Sequence, residues 1–70
     1  MSAKQIFVER LRDTLEKRGI NQVQLGKILA IKGSTISSYS VGHCFPSPDN
    51  LVKICDALGV SADYLLGRQD

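Results

Sequence analysis

Residues 21–39, NQVQLGKILAIKGSTISSY, contain the signals of two short helices separated by a break of only a few residues. Asn21 stands where an N-cap is expected, and Gln24 follows three residues later, which makes an amide form of the capping box. The sequence therefore predicts a helix over Gln22–Leu29. The side chains that this helix would bury are apolar and spaced for one helical face: Leu25, Ile28 and Leu29.

The next helix is predicted over Gly33–Ser40, and its two faces differ. Ile36 and Tyr39 form an apolar side. The opposite side spans an arc of about 100° and is mostly hydroxylic: Ser34, Ser37, Ser38 and Val41. Such short side chains let a helix sink into a DNA groove, where hydroxyl groups bond base edges and phosphates. A small bundle of four or five helices whose serines merely face water fits the same spacing, so both interpretations stay open at this point.

Helices are also predicted on either side of this pair. Phe7, Leu11 and Leu15 recur every fourth residue within a helix over Lys4–Arg18, which Gly19 ends. After a loop over residues 42–47, serine followed by proline predicts the start of a helix over Pro48–Leu58. Its expected buried face consists of Leu51, Ile54, Cys55 and Leu58. A last short helix is predicted over residues 62–66, so the chain is expected to be all-α, a compact five-helix bundle.

Length and composition restrict the class of protein. Seventy residues allow one domain, residues 1–70, and a hydrophobic content of 43% is ordinary for a globular fold. No apolar run approaches the roughly 18 residues needed to span a bilayer, and the N-terminus lacks a secretory signal. We therefore expect a cytoplasmic domain that does not bind a membrane. Such a short chain has little room for a catalytic cleft, so no enzyme is predicted.

Two cysteines, Cys44 and Cys55, lie eleven positions apart without a CxxC spacing. In a cytoplasmic chain they are expected to be free thiols, and Cys55 falls on the apolar face of its helix. His43 beside Cys44 could suggest a metal site, but structural zinc needs four ligands and none cluster there. No metal, cofactor or small-molecule ligand is therefore predicted.

The distribution of charge is more informative than the net value of +2. Residues 1–35 contain seven Lys and Arg against three Asp and Glu, a net charge of +4. Residues 36–70 contain two against four, a net charge of −2. This asymmetry would orient the N-terminal half towards a polyanion.

Four segments together resemble the Cro/CI-type (XRE-family) helix-turn-helix family of prokaryotic and phage transcriptional regulators, over about residues 7–67. RGINQVQL (18–25) is similar to the family's entry into the second helix, and GSTISSY (33–39) to its recognition helix. The loop GHCFP (42–46) keeps the family's glycine–proline spacing. LVKICDALGVSADYLLG (51–67) is similar to the family's C-terminal segment. All four in this order make a specific signal.

The resemblance implies a lambda-repressor-like DNA-binding domain whose third helix enters the major groove of double-stranded DNA. It places Gln22 and His43 on backbone phosphates. The implied base-reading positions are Lys32, Gly33, Ser34, Ser37 and Ser38. It also implies homodimers on inverted-repeat operators, with half-site centres about 34 Å apart.

Several residues depart from the family pattern. Gly33 replaces a long polar reader, and Lys32 stands where a serine or threonine N-cap is usual. The third helix therefore lacks the Arg, Asn and Gln side chains whose bidentate base contacts each give about 1–3 kcal/mol of discrimination. We expect a DNA-binding repressor of modest sequence specificity. The alternative is a protein-interaction module of the same fold, antitoxin-like or a regulatory partner, and the cluster Tyr64–Leu66 is a candidate dimer surface.

Overall fold

The computed structural model describes residues 2–68, and in that part of the chain the regular secondary structure is helical. The helices are α1 (Ala3–Arg18), α2 (Gln22–Leu29), α3 (Gly33–Val41), α4 (Pro48–Leu58) and α5 (Ala62–Leu65). The predicted bounds are correct to within one residue at each end. None of the described helices has the length and apolar character needed to cross a bilayer.

The N-terminus of α1 shows why one boundary was missed. Ser2 Oγ accepts a hydrogen bond from the Gln5 backbone N–H at 3.2 Å, and Gln5 Oε1 accepts one from the Ser2 N–H at 3.0 Å. This capping box satisfies two N–H groups that would otherwise lack partners, so the helix begins at Ala3 rather than Lys4. The predicted box between Asn21 and Gln24 is confirmed, with both bonds at 2.8 Å.

All five helices contribute to one hydrophobic core. Its fully or nearly fully buried apolar side chains are Phe7, Leu11, Leu15, Leu25, Leu29, Ile36, Tyr39, Ile54, Cys55, Leu58 and Leu65. The expectation of free thiols is confirmed, with Cys55 buried and Cys44 exposed. Leu51, which was expected to be buried, is only half-buried at the edge of this core.

The prediction that Ile28 is buried is wrong, because 58% of its side chain is exposed. The buried residues of α2 are Leu25, Gly26 and Leu29. At about 100° per residue, Ile28 lies about 60° outside the arc that these three define. The glycine thus rotates the inward face of α2 away from Ile28.

The corner between α2 and α3 depends on two small residues. Ala30 ends α2 in the left-handed region at φ 57°, and the Ile31 N–H donates to the Gly26 carbonyl oxygen at 2.8 Å. A Cβ atom on Gly26 would lie 2.7 Å from the Ile31 carbonyl oxygen and 3.4 Å from the Gly33 nitrogen. The absence of a side chain at residue 26 therefore lets the start of α3 pack directly on the backbone of α2.

Contacts between helices that are distant in sequence fix the outer elements. The Arg10 guanidinium lies 4.6 Å from the centroid of the Tyr64 ring, and its Nη1 donates to the Tyr64 carbonyl oxygen at 2.7 Å. Asn50 Nδ2 donates to the Tyr39 hydroxyl at 3.2 Å and so ties α4 to α3. Within the cluster Tyr64–Leu66, Leu65 is fully buried in the domain, whereas Tyr64 and Leu66 are half-buried.

Candidate nucleic-acid interface

The start of α3 is held by backbone geometry rather than by a side chain. Lys32 occupies the N-cap position, is exposed, and provides no side-chain cap, as its residue type predicted. Its carbonyl oxygen accepts from the Thr35 N–H at 3.0 Å and the Ile36 N–H at 3.3 Å. No neighbouring heavy atom lies within 4 Å of the position that a Cβ atom on Gly33 would take, so the space beside this first turn is open.

The outward face of α3 is small and polar, and it is less exposed than the sequence predicted. Ser34 and Val41 are exposed, whereas Ser37 and Ser38 are half-buried. The Ser38 hydroxyl donates to the Ser34 carbonyl oxygen at 3.1 Å. Because its proton is used within the helix, the Ser38 oxygen offers a DNA base an acceptor rather than a donor.

The inward face of α3 fixes how the outward face is presented. Ile36 is fully buried, Tyr39 is 4% exposed and Ser40 is 1% exposed. The buried Ser40 hydroxyl donates to the Ile36 carbonyl oxygen at 3.1 Å, so it is satisfied inside the helix. With these side chains locked in the core, α3 cannot rotate without exposing apolar surface, and its serine face is held outward.

The C-terminal end of α3 places His43 just beyond the helix. Gly42 takes a left-handed conformation at φ 82°, and the His43 N–H donates to the Ser38 carbonyl oxygen at 3.0 Å. This hydrogen bond closes the last turn in a Schellman arrangement. The His43 side chain is exposed beside the exposed Cys44. Within residues 2–68, no group of three potential ligands is placed to hold a metal ion.

Gln22 lies beside α3 rather than on its exposed face. It is half-buried at the first position of α2 and lines a groove of about 440 Å³ together with Arg12 and Ser40. The tertiary structure thus brings the amino end of α2 to the flank of α3. The five base-reading positions that the family resemblance implies lie on α3 or immediately before it, and Gln22 and His43 flank them.

A second groove of about 640 Å³ borders the other side of Val41 and is also lined by Lys4 and Val8 of α1. The spacing of Arg12 and Glu16 predicts an ion pair on the solvent side of α1, which is not formed among the described residues. The structure instead places Lys4 and Arg12 each in a groove beside the α2–α3 unit. Their spacing of eight residues, with Val8 midway, was the signal that they share one side of α1.

Three basic residues of α1 differ in whether they form an ion pair. Lys17 Nζ lies 3.1 Å from Asp13 Oδ2, and this hydrogen bond is the main reason that the pKa of Lys17 is raised. The charge of Lys17 is therefore paired with the Asp13 carboxylate within α1. Lys4 and Arg12 are exposed and form no ion pair with another described residue. Their positive charge remains available to an external anion.

Comparison with known proteins identifies the fold. A helix-turn-helix domain family matches residues 8–70, nearly the whole chain. The chain belongs to this helix-turn-helix family. The all-α fold and the family resemblance inferred from the sequence are thereby confirmed. No solved structure matches the chain closely enough to count as a relative.

The curated relatives of this helix-turn-helix domain are named as regulators. It is 32% identical to the transcriptional regulator ImmR of Bacillus subtilis, over 89% of this chain and 49% of that protein. It is 36% identical to repressor protein C2 of Salmonella phage P22, over 89% of this chain and 29% of that protein. It is 37% identical to the phage CTXphi repressor RstR of Vibrio cholerae, over 86% and 54%. The chain thus spans about half or less of the length of these relatives.

Proposed function

We propose that this chain is the DNA-binding part of a transcriptional repressor and that α3 enters the major groove of the operator. The observation that carries the proposal is the rigid presentation of a small hydroxylic face. Ile36 and Tyr39 lock one side of α3 into the core. The opposite side carries Ser34 and Val41, which are exposed, and Ser37 and Ser38, which are half-buried. A helix of this diameter fits the major groove, which is about 12 Å wide. The regulatory names of the relatives support the same function.

The residues around α3 divide into readers and positioning groups. Ser34, Ser37 and Ser38 face the base edges in this arrangement, with Lys32 and Gly33 at the entry of the helix. Gln22 has an amide of suitable length for a phosphate, and it stands at the positive end of α2. His43 lies beyond the opposite end of α3, where it meets the backbone on the other side of the groove.

The operator is an inverted repeat bound by two copies of the chain. A two-fold dimer places its two α3 helices in successive major grooves, with half-site centres about 34 Å apart. Relatives from bacteria and a phage indicate a bacterial cell as the setting, where operator DNA lies in the cytoplasm. Their naming as regulators rather than enzymes supports a role in binding and not in catalysis.

Sequence discrimination by this face is modest. The Ser38 oxygen acts as an acceptor, Val41 is 56% exposed and suits a thymine methyl group, and no side chain from Gly33 to Val41 is long enough for bidentate base contacts. DNA shape and backbone contacts therefore contribute much of the affinity.

The test is selection of bound duplexes from a random-sequence library at about physiological ionic strength, where nonspecific binding is suppressed. Enrichment of an inverted repeat with half-sites one turn apart supports both the repressor and the dimer. Absence of enrichment with folded protein contradicts sequence-specific binding and favours a protein-interaction module of the same fold.

Two variants then separate the roles of reading and positioning. Ser38→Ala is expected to change base preference at one operator position with little change in affinity for nonspecific duplex, because the lost group is a base-facing acceptor. Gln22→Ala is expected to weaken binding to all sequences. Equal losses on all sequences for both variants would contradict this division.

A further inference from the structure

α1 presents a second, cationic edge to the same side of the molecule as α3. Lys4, Val8 and Arg12 follow one another at intervals of four residues, so they lie along one stripe of the helix. The two cations are separated by about 12 Å along the helix axis, at 1.5 Å per residue. Val8, between them, is half-buried against the core and anchors the stripe.

Lys4 lies at the C-terminal end of α3. Two side-chain atoms of α1 lie close to the position that a Cβ atom on Gly42 would take. Lys4 Cε is 3.9 Å from that position, and Val8 Cγ2 is 3.5 Å from it. Lys4 also lines the same groove as Val41, which is exposed on the outward side of α3. Lys4 is thus at the border of the face that we assign to DNA, beside Gly42.

Arg12 lies near Gln22, the other residue that we assign to a backbone phosphate. It lines the groove that contains Asn21 and Gln22, at the amino end of α2. Both its charge and the N-terminal partial charge of α2 are positive, so the two reinforce each other towards an anion. Lys4 and Arg12 therefore border two different parts of the same interface.

Neighbouring carboxylates do not neutralise these cations. Glu9 lines the Lys4 groove, and Glu16 is one turn beyond Arg12, but neither pairs with Lys4 or Arg12 in the described structure. Lys17, one turn from Asp13 on α1, shows the contrasting case of a cation that is internally paired at 3.1 Å. Exposed cations without internal partners are the groups that phosphates attract most strongly.

We propose that Lys4 and Arg12 bind two backbone phosphates of the DNA that α3 reads, so that α1 clamps the duplex along the flank of the recognition helix. This inference rests on the proposed function. Because successive phosphates of one strand are about 3.4 Å apart along the duplex axis, cations about 12 Å apart reach different phosphates. The basic excess of residues 1–35 then acts through two defined side chains.

The test is the salt dependence of binding to a fluorescein-labelled nonspecific duplex, measured by fluorescence anisotropy between 50 and 200 mM KCl, on the order of the range where counterion release is resolved. Lys4→Gln and Arg12→Gln are each expected to reduce the slope of log Kobs against log[salt] by about 0.9, and the double variant by about 1.8. Each single loss corresponds to about eightfold weaker binding at 0.1 M salt.

Two controls make the result specific to these positions. Lys53→Gln removes a cation that lines a groove between α2 and α4, away from α3, and is expected to leave the slope unchanged. Lys4→Arg keeps the charge and is expected to restore the wild-type slope. Because both substituted side chains are exposed, the variants are expected to fold, and circular dichroism checks that they do.

The outcomes distinguish this inference from the proposed function. If Lys4→Gln and Arg12→Gln keep the wild-type slope while Gln22→Ala weakens binding, the α1 clamp is refuted and DNA binding by α3 stands. If the folded wild-type chain binds no duplex, both proposals are refuted. A slope reduced equally by Lys53→Gln would show a general charge effect and would also overturn the clamp.

Discussion

Replacement of Gly26 by alanine tests how closely α2 and the start of α3 are packed. The new Cβ atom would lie 2.7 Å from the Ile31 carbonyl oxygen, whereas ordinary contacts between carbon and oxygen begin at about 3.3 Å. The neighbour is backbone, and its own N–H is hydrogen-bonded to the Gly26 carbonyl oxygen. The corner must therefore open by about 0.6 Å, which is the difference between these two distances.

Two opposing terms set the size of the effect. Overpacking of this kind costs about 1–3 kcal/mol, and alanine in a helix interior gains about 1 kcal/mol over glycine. We expect a net loss of about 1 kcal/mol in the free energy of unfolding, which lowers Tm by about 4–8 °C for a domain of this size. Without the steric contact, the substitution would have been stabilising, so the sign of the effect is informative.

The assay is urea and thermal unfolding followed by circular dichroism, with reversibility checked. Gly33→Ala is the matched control, because the same atom is added where nothing lies within 4 Å. It is expected to leave stability unchanged or to raise it by a few tenths of a kcal/mol through helix propensity. A Gly26→Ala variant as stable as Gly33→Ala would refute the close approach of the two helices.

Four further predictions have defined outcomes. Ala30→Gly is expected to raise the free energy of unfolding by about 0.5–1 kcal/mol. The left-handed conformation at φ 57° costs an L-residue about 1–2 kcal/mol, and part of this gain is offset because glycine loses more chain entropy on folding. Arg10→Ala is expected to lower it by about 2 kcal/mol through loss of the charged hydrogen bond and the cation–π contact with Tyr64. In thiol labelling of the native protein, Cys44 reacts at once and Cys55 only on opening. Burial raises the pKa of Cys55 above its ordinary value of 9.0, so stability falls as pH rises through 9 towards the folded-state pKa.

Controls for the Arg10, Ala30 and Cys55 predictions come from the chain itself. Arg12→Ala, on an exposed position of α1, should leave unfolding unchanged, and an equal loss for Arg10 and Arg12 would contradict the Tyr64 contacts. A destabilised Ala30→Gly would mean that the alanine is not strained. Cys55→Ala should remove part of the alkaline loss of stability, and an unchanged pH profile would exclude Cys55 as its source.

Leu15 and Ser40 illustrate how the flank of α3 is built without buried charge. Both line the groove that contains Gln22, and Leu15 is buried in the core. The Ser40 hydroxyl is satisfied by its own helix. No desolvated ion pair is therefore needed there to hold α1 against α3, and the junction is stabilised by apolar packing and a local hydrogen bond.

The local signals in the sequence determined the helices and their order. Capping boxes, proline at the first helical position and glycine after the last turn act through hydrogen bonds between residues three to five apart. A single sequence contains that information, so the bounds of α2 and α4 are correct to the residue. The same locality explains why the two faces of α3 could be separated before its surroundings were known.

The tertiary structure determined which helix faces are buried and which residues lie beside the exposed ones. Ile28 is exposed because Gly26 turns the inward face of α2, and Tyr64 is partly covered because Arg10, 54 residues earlier, lies over its ring. Lys4 and Arg12 reached the flank of α3 because Val8 packs against Gly42. Contacts of this kind join residues tens of positions apart, and no periodicity within one helix encodes them. The sequence alone determined what the recognition helix is made of, whereas packing between helices decided what stands beside it.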